Sequence, residues 1–270
     1  MMEPIHAGPL HGPKKGCTMR QRIRMAALLA AAVLLLSSAV QALENSEGRT
    51  APVFPEAEAW QLLLVNPWNA LPEAFAVSLK TLPGGLRVDE RIYEDLTAML
   101  QACRDEGMQP LVCSAYRTQA LQSYLYENKI ARLQAAGYRP AEARKEAARW
   151  VAPPGTSEHQ TGLAVDLVAS SYQSLDRRQE ETAEQQWLME HCWEYGFILR
   201  YPNDKSEVTG IGYEPWHYRY VGRPAALDIR DSGLCLEEYL LLREDAENSG
   251  SPLPPSRPEP PGTEYPWDIW

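Results

Sequence analysis

The chain has 270 residues, of which 44% are hydrophobic and 23% charged, with a formal net charge of −10. That composition suits one globular domain with appendages rather than a disordered or fibrous chain. Residues 1–42 hold five basic groups and one acid, so the remainder carries −14, which excludes nucleic acid or an anionic membrane surface as a partner of the general surface field.

Met25 to Val40 is apolar apart from Ser37 and Ser38, follows a basic stretch and precedes the small-residue sequence "VQA" at 40–42. Sixteen residues are short for a span, which needs about 20. Residues 1–42 therefore read as a secretory signal, or as an N-terminal anchor if uncleaved. That segment is the only membrane contact expected. Translation from Met19 would leave a compact signal, and Cys17 lies before the apolar run, so it is not placed as a lipoprotein cysteine. Residues 43–57 read as a polar linker, 58–247 as the domain, and 248–270 as a Pro-rich tail unable to bury a core.

Within the domain, "WQLLLVN" (60–66) predicts a buried strand. Ile92, Leu96, Met99, Leu100 and Cys103 recur at spacings of three and four and predict a helix over 88–107. A strand follows at 110–116, then helices at 118–137 and 140–151. "APPGTSEHQTG" is a loop of turn formers, and 163–169 a strand. Thr182 and Gln185 form a capping-box pattern ahead of a helix that ends at Gly196. Strands at 197–201 and 216–222 and a helix at 234–244 close the domain. Helices and strands mix without a βαβ series, which favours an α+β fold with a small, mainly antiparallel sheet.

Four cysteines follow the N-terminal segment: Cys103, Cys113, Cys192 and Cys235. An even number in an oxidising compartment suits two disulfides, with Cys103–Cys113 and Cys192–Cys235 favoured among three connectivities. Free buried thiols are the alternative.

Two histidines sit near carboxylates. Asp166 lies seven residues after His159, and Glu214 three before His217. Catalytic zinc takes three protein ligands and keeps one position open. Two histidines and one aspartate match that number and leave one glutamate as a proton acceptor; the alternative is an ordinary hydrogen bond within each histidine–carboxylate pair. Gly162 and Ala164 share a strand face with Asp166 in this reading, leaving room above the sheet. His191, Trp216, Tyr213 and Tyr218 read as surface or packing residues.

"SEHQTGLAVD" (157–166) resembles the SxHxxGxAxD motif of zinc D-alanyl-D-alanine carboxypeptidases of the VanY type. "EPWHYRYVG" (214–222) resembles their second motif, and "CSAYRTQALQ" (113–122) their upstream SxYR segment. The resemblance implies the hedgehog-like peptidase fold, with Zn2+ on His159, Asp166 and His217 and Glu214 as catalytic base. It further implies that Arg117 holds substrate and oxyanion, that Ser157 meets the substrate's terminal carboxylate, and that Gln122 lines the same pocket. The implied partner is the peptidoglycan stem peptide, cut by an exported monomer that releases its terminal D-alanine from a pentapeptide or, as an L,D-carboxypeptidase, a tetrapeptide. An L-alanyl-D-glutamate endopeptidase and an inactive zinc-containing wall-binding domain are the alternatives.

Overall fold

The computed structural model describes residues 60–249. The expectations for 1–42, for 43–57 and for the tail from 250 onward lie outside the described residues. Two short strands, β1 (Leu79–Thr81) and β2 (Arg87–Asp89), pair antiparallel. A 3-10 turn leads into α1 (Tyr93–Asp105), then β3 (Pro110–Ser114), α2 (Gln119–Ala135) and α3 (Pro140–Ala148). A second 3-10 turn, Glu158–Thr161, precedes β4 (Ala164–Ala169). The remainder comprises α4 (Ala183–His191), β5 (Phe197–Leu199), α5 (Ser206–Thr209), β6 (His217–Tyr220), α6 (Arg223–Ser232) and α7 (Leu236–Ser249).

The main sheet has the order β3-β4-β6-β5, and every pair in it is antiparallel. Side chains alternate across it. On one face Val165 and Leu167 of β4 and Tyr218 and Tyr220 of β6 meet Leu96, Met99 and Leu100 of α1 and Leu188 of α4. Burying each such aliphatic side chain contributes roughly 1.5–3 kcal/mol, so this face holds the sheet rigid. On the opposite face, at the β5 edge, Ile198 packs with Ala226 and Ile229 of α6 and Leu236 and Leu240 of α7. The β3 and β4 half of that face carries Asp166 and is left for the site.

Helix ends follow from local chemistry. Thr118 caps α2 by accepting from the Leu121 amide, and Thr182 caps α4 through the Gln185 amide. The helix expected to run on to Gly196 is α4 followed by a 3-10 turn, Cys192–Tyr195, and Gly196 does end it in the left-handed region at φ 80°. Unanticipated from the sequence are β1, β2, α5 and α6. The last carries a proline in its first turn and Gly233 just past its end, a punctuation that could have been read.

Four expectations need correction. Residues 60–66 form no strand, although Leu62 and Val65 are buried. The carbonyls of Gln61 and Leu63 are taken by the Arg219 guanidinium at 2.9 and 2.8 Å instead of by a neighbouring strand. The four cysteines are free thiols, so neither Cys103–Cys113 nor Cys192–Cys235 is formed. Cys103 faces the core from α1, whereas a β-bulge after Val112 leaves Cys113 on the opposite side of β3, its thiol 3.4 Å from the Asp166 carbonyl. Cys192 is buried in the α1-side core, and Cys235 beside Leu236 at the other cluster. Burial pushes the Cys103, Cys192 and Cys235 thiols up to about 12. Gly162 is not a strand residue opening space for substrate. It sits at φ 77°, and an added Cβ would stand 2.8 Å from the Asp89 amide nitrogen, so it is small for β2 to pack against. Finally, Gln122 does not reach the cleft, as the site shows.

Candidate metal centre and cleft

Asp166 and His217 are register partners on β4 and β6, so their side chains leave the same sheet face as neighbours. His159 arrives from the 3-10 turn ahead of β4, whose backbone is tied to the β3–α2 loop by the Arg117 amide donating to the His159 carbonyl at 3.0 Å. All three side chains are buried, and their ligand atoms lie within 4.8 Å of one another. His159 Nε2 is 3.3 Å from Asp166 Oδ2, and His217 Nδ1 is 3.0 Å from Asp166 Oδ1.

The outer nitrogens fix each ring. His159 Nδ1 lies 2.8 Å from the Ala115 carbonyl oxygen, which can only accept, so Nδ1 carries the hydrogen and Nε2 is presented inward. His217 is turned the other way. Its Nε2 faces Glu158 Oε2 at 3.4 Å, leaving Nδ1 toward Asp166. Hydrogen-bonded outer nitrogens of this kind orient metal-binding histidines.

Glu158 was not singled out in the sequence, although it stands inside the quoted motif. It is fully buried and accepts at Oε1 from Arg200 Nε and Arg219 Nη1, both at 2.7 Å. Arg200 continues to Glu237 at 2.6 and 2.9 Å, and Glu237 accepts from Asn66 Nδ2 at 3.1 Å. A chain of buried charges thus runs from α7 to the back of His217. The two arginines sit in β-strand contexts that read as apolar, so spacing gave no signal for them.

Glu214 is buried at the cleft, with Oε2 3.8 Å from His217 Nδ1 and its backbone amide held by the Tyr201 carbonyl. Its carboxylate accepts no hydrogen bond from any described residue. Burial pushes it up to about 8, against the pull of His217. Burial also drives His159 down to about 4, helped by Arg117. For His217 burial pulls downward, but hydrogen bonds to Asp166 and Glu158 override it and carry it up to about 9. Asp166 is buried too, yet His159, His217 and Arg117 hold it well below the usual carboxylate range.

Arg117 donates from Nη2 to Asp166 Oδ2 at 2.8 Å and from Nε and Nη2 to the Ser114 hydroxyl. The bulge in β3 is what puts Ser114 opposite Asp166. Gln122 is fully buried behind Arg117: its Oε1 accepts from Nη1 at 3.5 Å and its Nε2 donates to the Ala152 carbonyl at 2.7 Å. Its amide is thereby spent on bracing Arg117, which corrects the expectation that it lines the pocket. Ser157 does line the cleft, and its hydroxyl makes no hydrogen bond to a described residue. Trp216 is mostly buried but lines the cleft, Tyr213, also on the cleft, donates to Glu180, and Tyr218 donates to Gln185. His191 lies away from the site against Trp187, with Glu194 at 2.8 Å.

The centre opens into a cleft of about 890 Å³, lined from Arg117, Ser157 and Glu214 out to α2 and Trp150. Two imidazoles and a carboxylate, with a further unbonded carboxylate alongside, can hold a divalent ion and move a proton next to it. Among the described residues no helix is long and apolar enough to cross a membrane.

A family model described as VanY, D-alanyl-D-alanine carboxypeptidase, matches residues 85–223. A D-alanyl-D-alanine carboxypeptidase of Enterococcus faecalis is 46% identical over 200 residues, 73% of each chain. Among solved structures, VanYB in complex with D-alanine-D-alanine shares 48% identity at a TM-score of 0.63, covering 67% of this chain and 98% of that one. A variant of the vancomycin resistance D,D-pentapeptidase VanY from a VanB-type cassette, in complex with Zn(II), shares 47% at a TM-score of 0.62, covering 67% and 99%.

Proposed function

The chain belongs to the VanY family of D-alanyl-D-alanine carboxypeptidases, and from that membership we propose a zinc enzyme that removes the C-terminal D-alanine from peptidoglycan stem peptides. The observation that carries the proposal is the convergence of His159, Asp166 and His217 beside Glu214 at one cleft. The donor set fits zinc. Two imidazole nitrogens and a carboxylate oxygen, the donor types zinc takes, lie within 4.8 Å of one another.

When bound, Zn2+ supplies a Lewis acid that polarises the scissile carbonyl and makes water a nucleophile near neutral pH. The chain's own groups do the rest. Glu214 takes a proton from the attacking water onto its carboxylate and passes it to the leaving amine. Arg117, which cannot lose its charge and is steadied by Ser114 and Gln122, presents positive charge to the oxyanion or to the substrate's terminal carboxylate. Ser157 offers a hydroxyl to the same carboxylate. Burial keeps water from screening these charges.

Export is part of the proposal. The basic, apolar and small-residue succession over 20–42 supports a signal or anchor that places the domain on the outer side of the membrane. Fractionating cells and sequencing the mature N-terminus checks it; a full-length chain in the cytosol refutes it.

The function is tested with defined muropeptides, the metal-stripped and zinc-reconstituted protein, and mass spectrometry. Loss of one alanine that needs zinc supports the reading, and pentapeptide against tetrapeptide substrates gives the D,D or L,D preference. A cut between L-alanine and D-glutamate makes the protein an endopeptidase, and binding without product makes it a wall-binding domain.

A further inference from the structure

The cleft is much longer than the metal centre. Leu125, Asn128, Lys129 and Arg132 all line it, and their spacing of three, four and seven puts them on one face of α2. Arg149 and Trp150, just past the end of α3, line it as well. Their placement is fixed: the Gly212 amide donates to the Arg149 carbonyl at 2.7 Å, and the Trp150 ring occupies the space that a Cβ on Gly212 would need. The indole nitrogen donates to Glu146 at 2.8 Å, and the Lys129 ammonium stands 5.8 Å from the ring centroid.

Three cations therefore line one stretch of the cleft, and none forms an ion pair with a described residue. The other arginines of the cleft are neutralised, Arg117 by Asp166 and Arg177 by Glu180. Outside it, Arg91, Arg178, Arg200, Arg219, Arg223 and Arg230 are paired as well. In a chain of net charge −10, acids to quench Lys129, Arg132 and Arg149 are plentiful, yet none forms an ion pair with them, and Glu146 is engaged by the Trp150 indole instead.

We propose that Lys129, Arg132 and Arg149, with Trp150 as the apolar floor, form a subsite for a free carboxylate on the acyl side of the scissile bond. The inference rests on the carboxypeptidase reading above. An exopeptidase that releases one residue needs room for a single amino acid on the leaving side, so the rest of the cleft takes the acyl side. Lys129 stands seven residues along α2 from Gln122, which braces Arg117. That is about 10 Å of helix, or about three residues of extended peptide. The group addressed is thus a carboxylate two or three residues upstream of the terminal D-alanine. In a stem peptide this is the α-carboxylate of the D-glutamate, left free by its γ-linkage. The pocket would distinguish that acid from its amide, and would set preference among stem peptides rather than the chemistry of cleavage.

The test uses the zinc-loaded protein and three synthetic substrates that carry lysine as the residue before D-alanyl-D-alanine, so that no other side-chain carboxylate is present. One has D-glutamate, one its α-amide, and one is an N-acetylated tripeptide lacking that residue. The wild type is expected to favour the acid over the amide by about two- to fivefold in kcat/KM, the size of an exposed charge contact, mostly through KM, with the ratio shrinking as salt is raised. The double variant Lys129→Gln, Arg149→Gln is expected to bring the ratio to near one, while Arg104→Gln, an exposed cation outside the cleft, leaves it unchanged. Acid and amide cleaved equally by the wild type, with the tripeptide still cut, overturns the subsite and spares the carboxypeptidase reading. A ratio that survives the double variant also overturns it. No alanine released from any of the three overturns both.

Discussion

Glu158→Gln is the substitution that weighs most heavily on this structure. The carboxylate is fully buried, with two arginines on one oxygen at 2.7 Å and His217 on the other. An amide of the same size keeps one acceptor but turns an NH2 toward donors and removes the charge. Arg200 still has Glu237. Arg219 does not: its remaining partners are the carbonyls of Gln61, Leu63 and Tyr220. Stranding one buried charge in this way costs about 3–5 kcal/mol, out of a total stability of about 5–15 kcal/mol. Glu237→Gln should cost less, because Arg200 then keeps Glu158. Losing the Nε2 partner of His217 should also weaken zinc by about 10–100-fold. Urea unfolding of the metal-stripped variants measures the first quantity, and zinc titration against a chromophoric chelator the second. A loss under about 1 kcal/mol for Glu158→Gln, below what a buried pair should give, or a larger loss for Glu237→Gln, would refute the reasoning.

Three more outcomes are expected. Glu214→Gln should retain zinc, since its carboxylate is not one of the three converging donors, and should lower kcat by about a thousandfold, within the range for a general base; near wild-type turnover places the base elsewhere. Gly162→Ala should destabilise by about 1–3 kcal/mol through its left-handed φ, with more from the Asp89 backbone 2.8 Å away; an unchanged urea midpoint contradicts this. The metal-stripped protein should be most stable between about pH 4.5 and 6.5. Glu214 and His217 rise on folding, from 4.5 to about 8 and from 6.5 to about 9, so between pH 6.5 and 8 the folded state holds about one to one and a half protons more and stability falls as pH rises. Below pH 6.5 His159, lowered to about 4, opposes Glu214, and the two slopes cancel until acid reaches Glu158, Asp166 and Glu237, whose depressed pKa values make stability fall there. A flat urea midpoint from pH 6.5 to 8 in stripped protein would be the contrary result.

What the chain disclosed in advance, and what it withheld, divide along a physical line. His159, Asp166, His217 and Glu214 could be picked out because a catalytic ion needs those residue types in that number, and two short motifs carry them. The helix at 93–105 is legible because its apolar face repeats with the helical period. Residues 60–66 misled for the converse reason. Apolar content marks burial, but it does not say what satisfies the backbone, and here a side chain replaces a strand. Gly162 was read by size alone, while its φ and the approach of Asp89 are the cause. The cysteine pairing relied on number and compartment, which ignore on which side of β3 each thiol lies.

The remaining gap concerns charges that act at long sequence separation. Glu158, Arg200, Arg219 and Glu237 span 80 positions, and each has an ordinary surface reading when met alone. Their meaning appears only when the sheet brings β6 beside the Glu158 turn and α7 closes over Arg200. The arrangement ties the last helix to the site through the Glu237–Arg200 pair. Removing Glu237 leaves Arg200 leaning on Glu158 alone, and through Glu158 the disturbance reaches the outer nitrogen of His217. A metal ligand is thus held from a helix 20 residues further along the chain, by charges whose desolvation is tolerable only while all four are present. Local periodicity carries no trace of such a circuit, because what it encodes is a balance of charge in three dimensions.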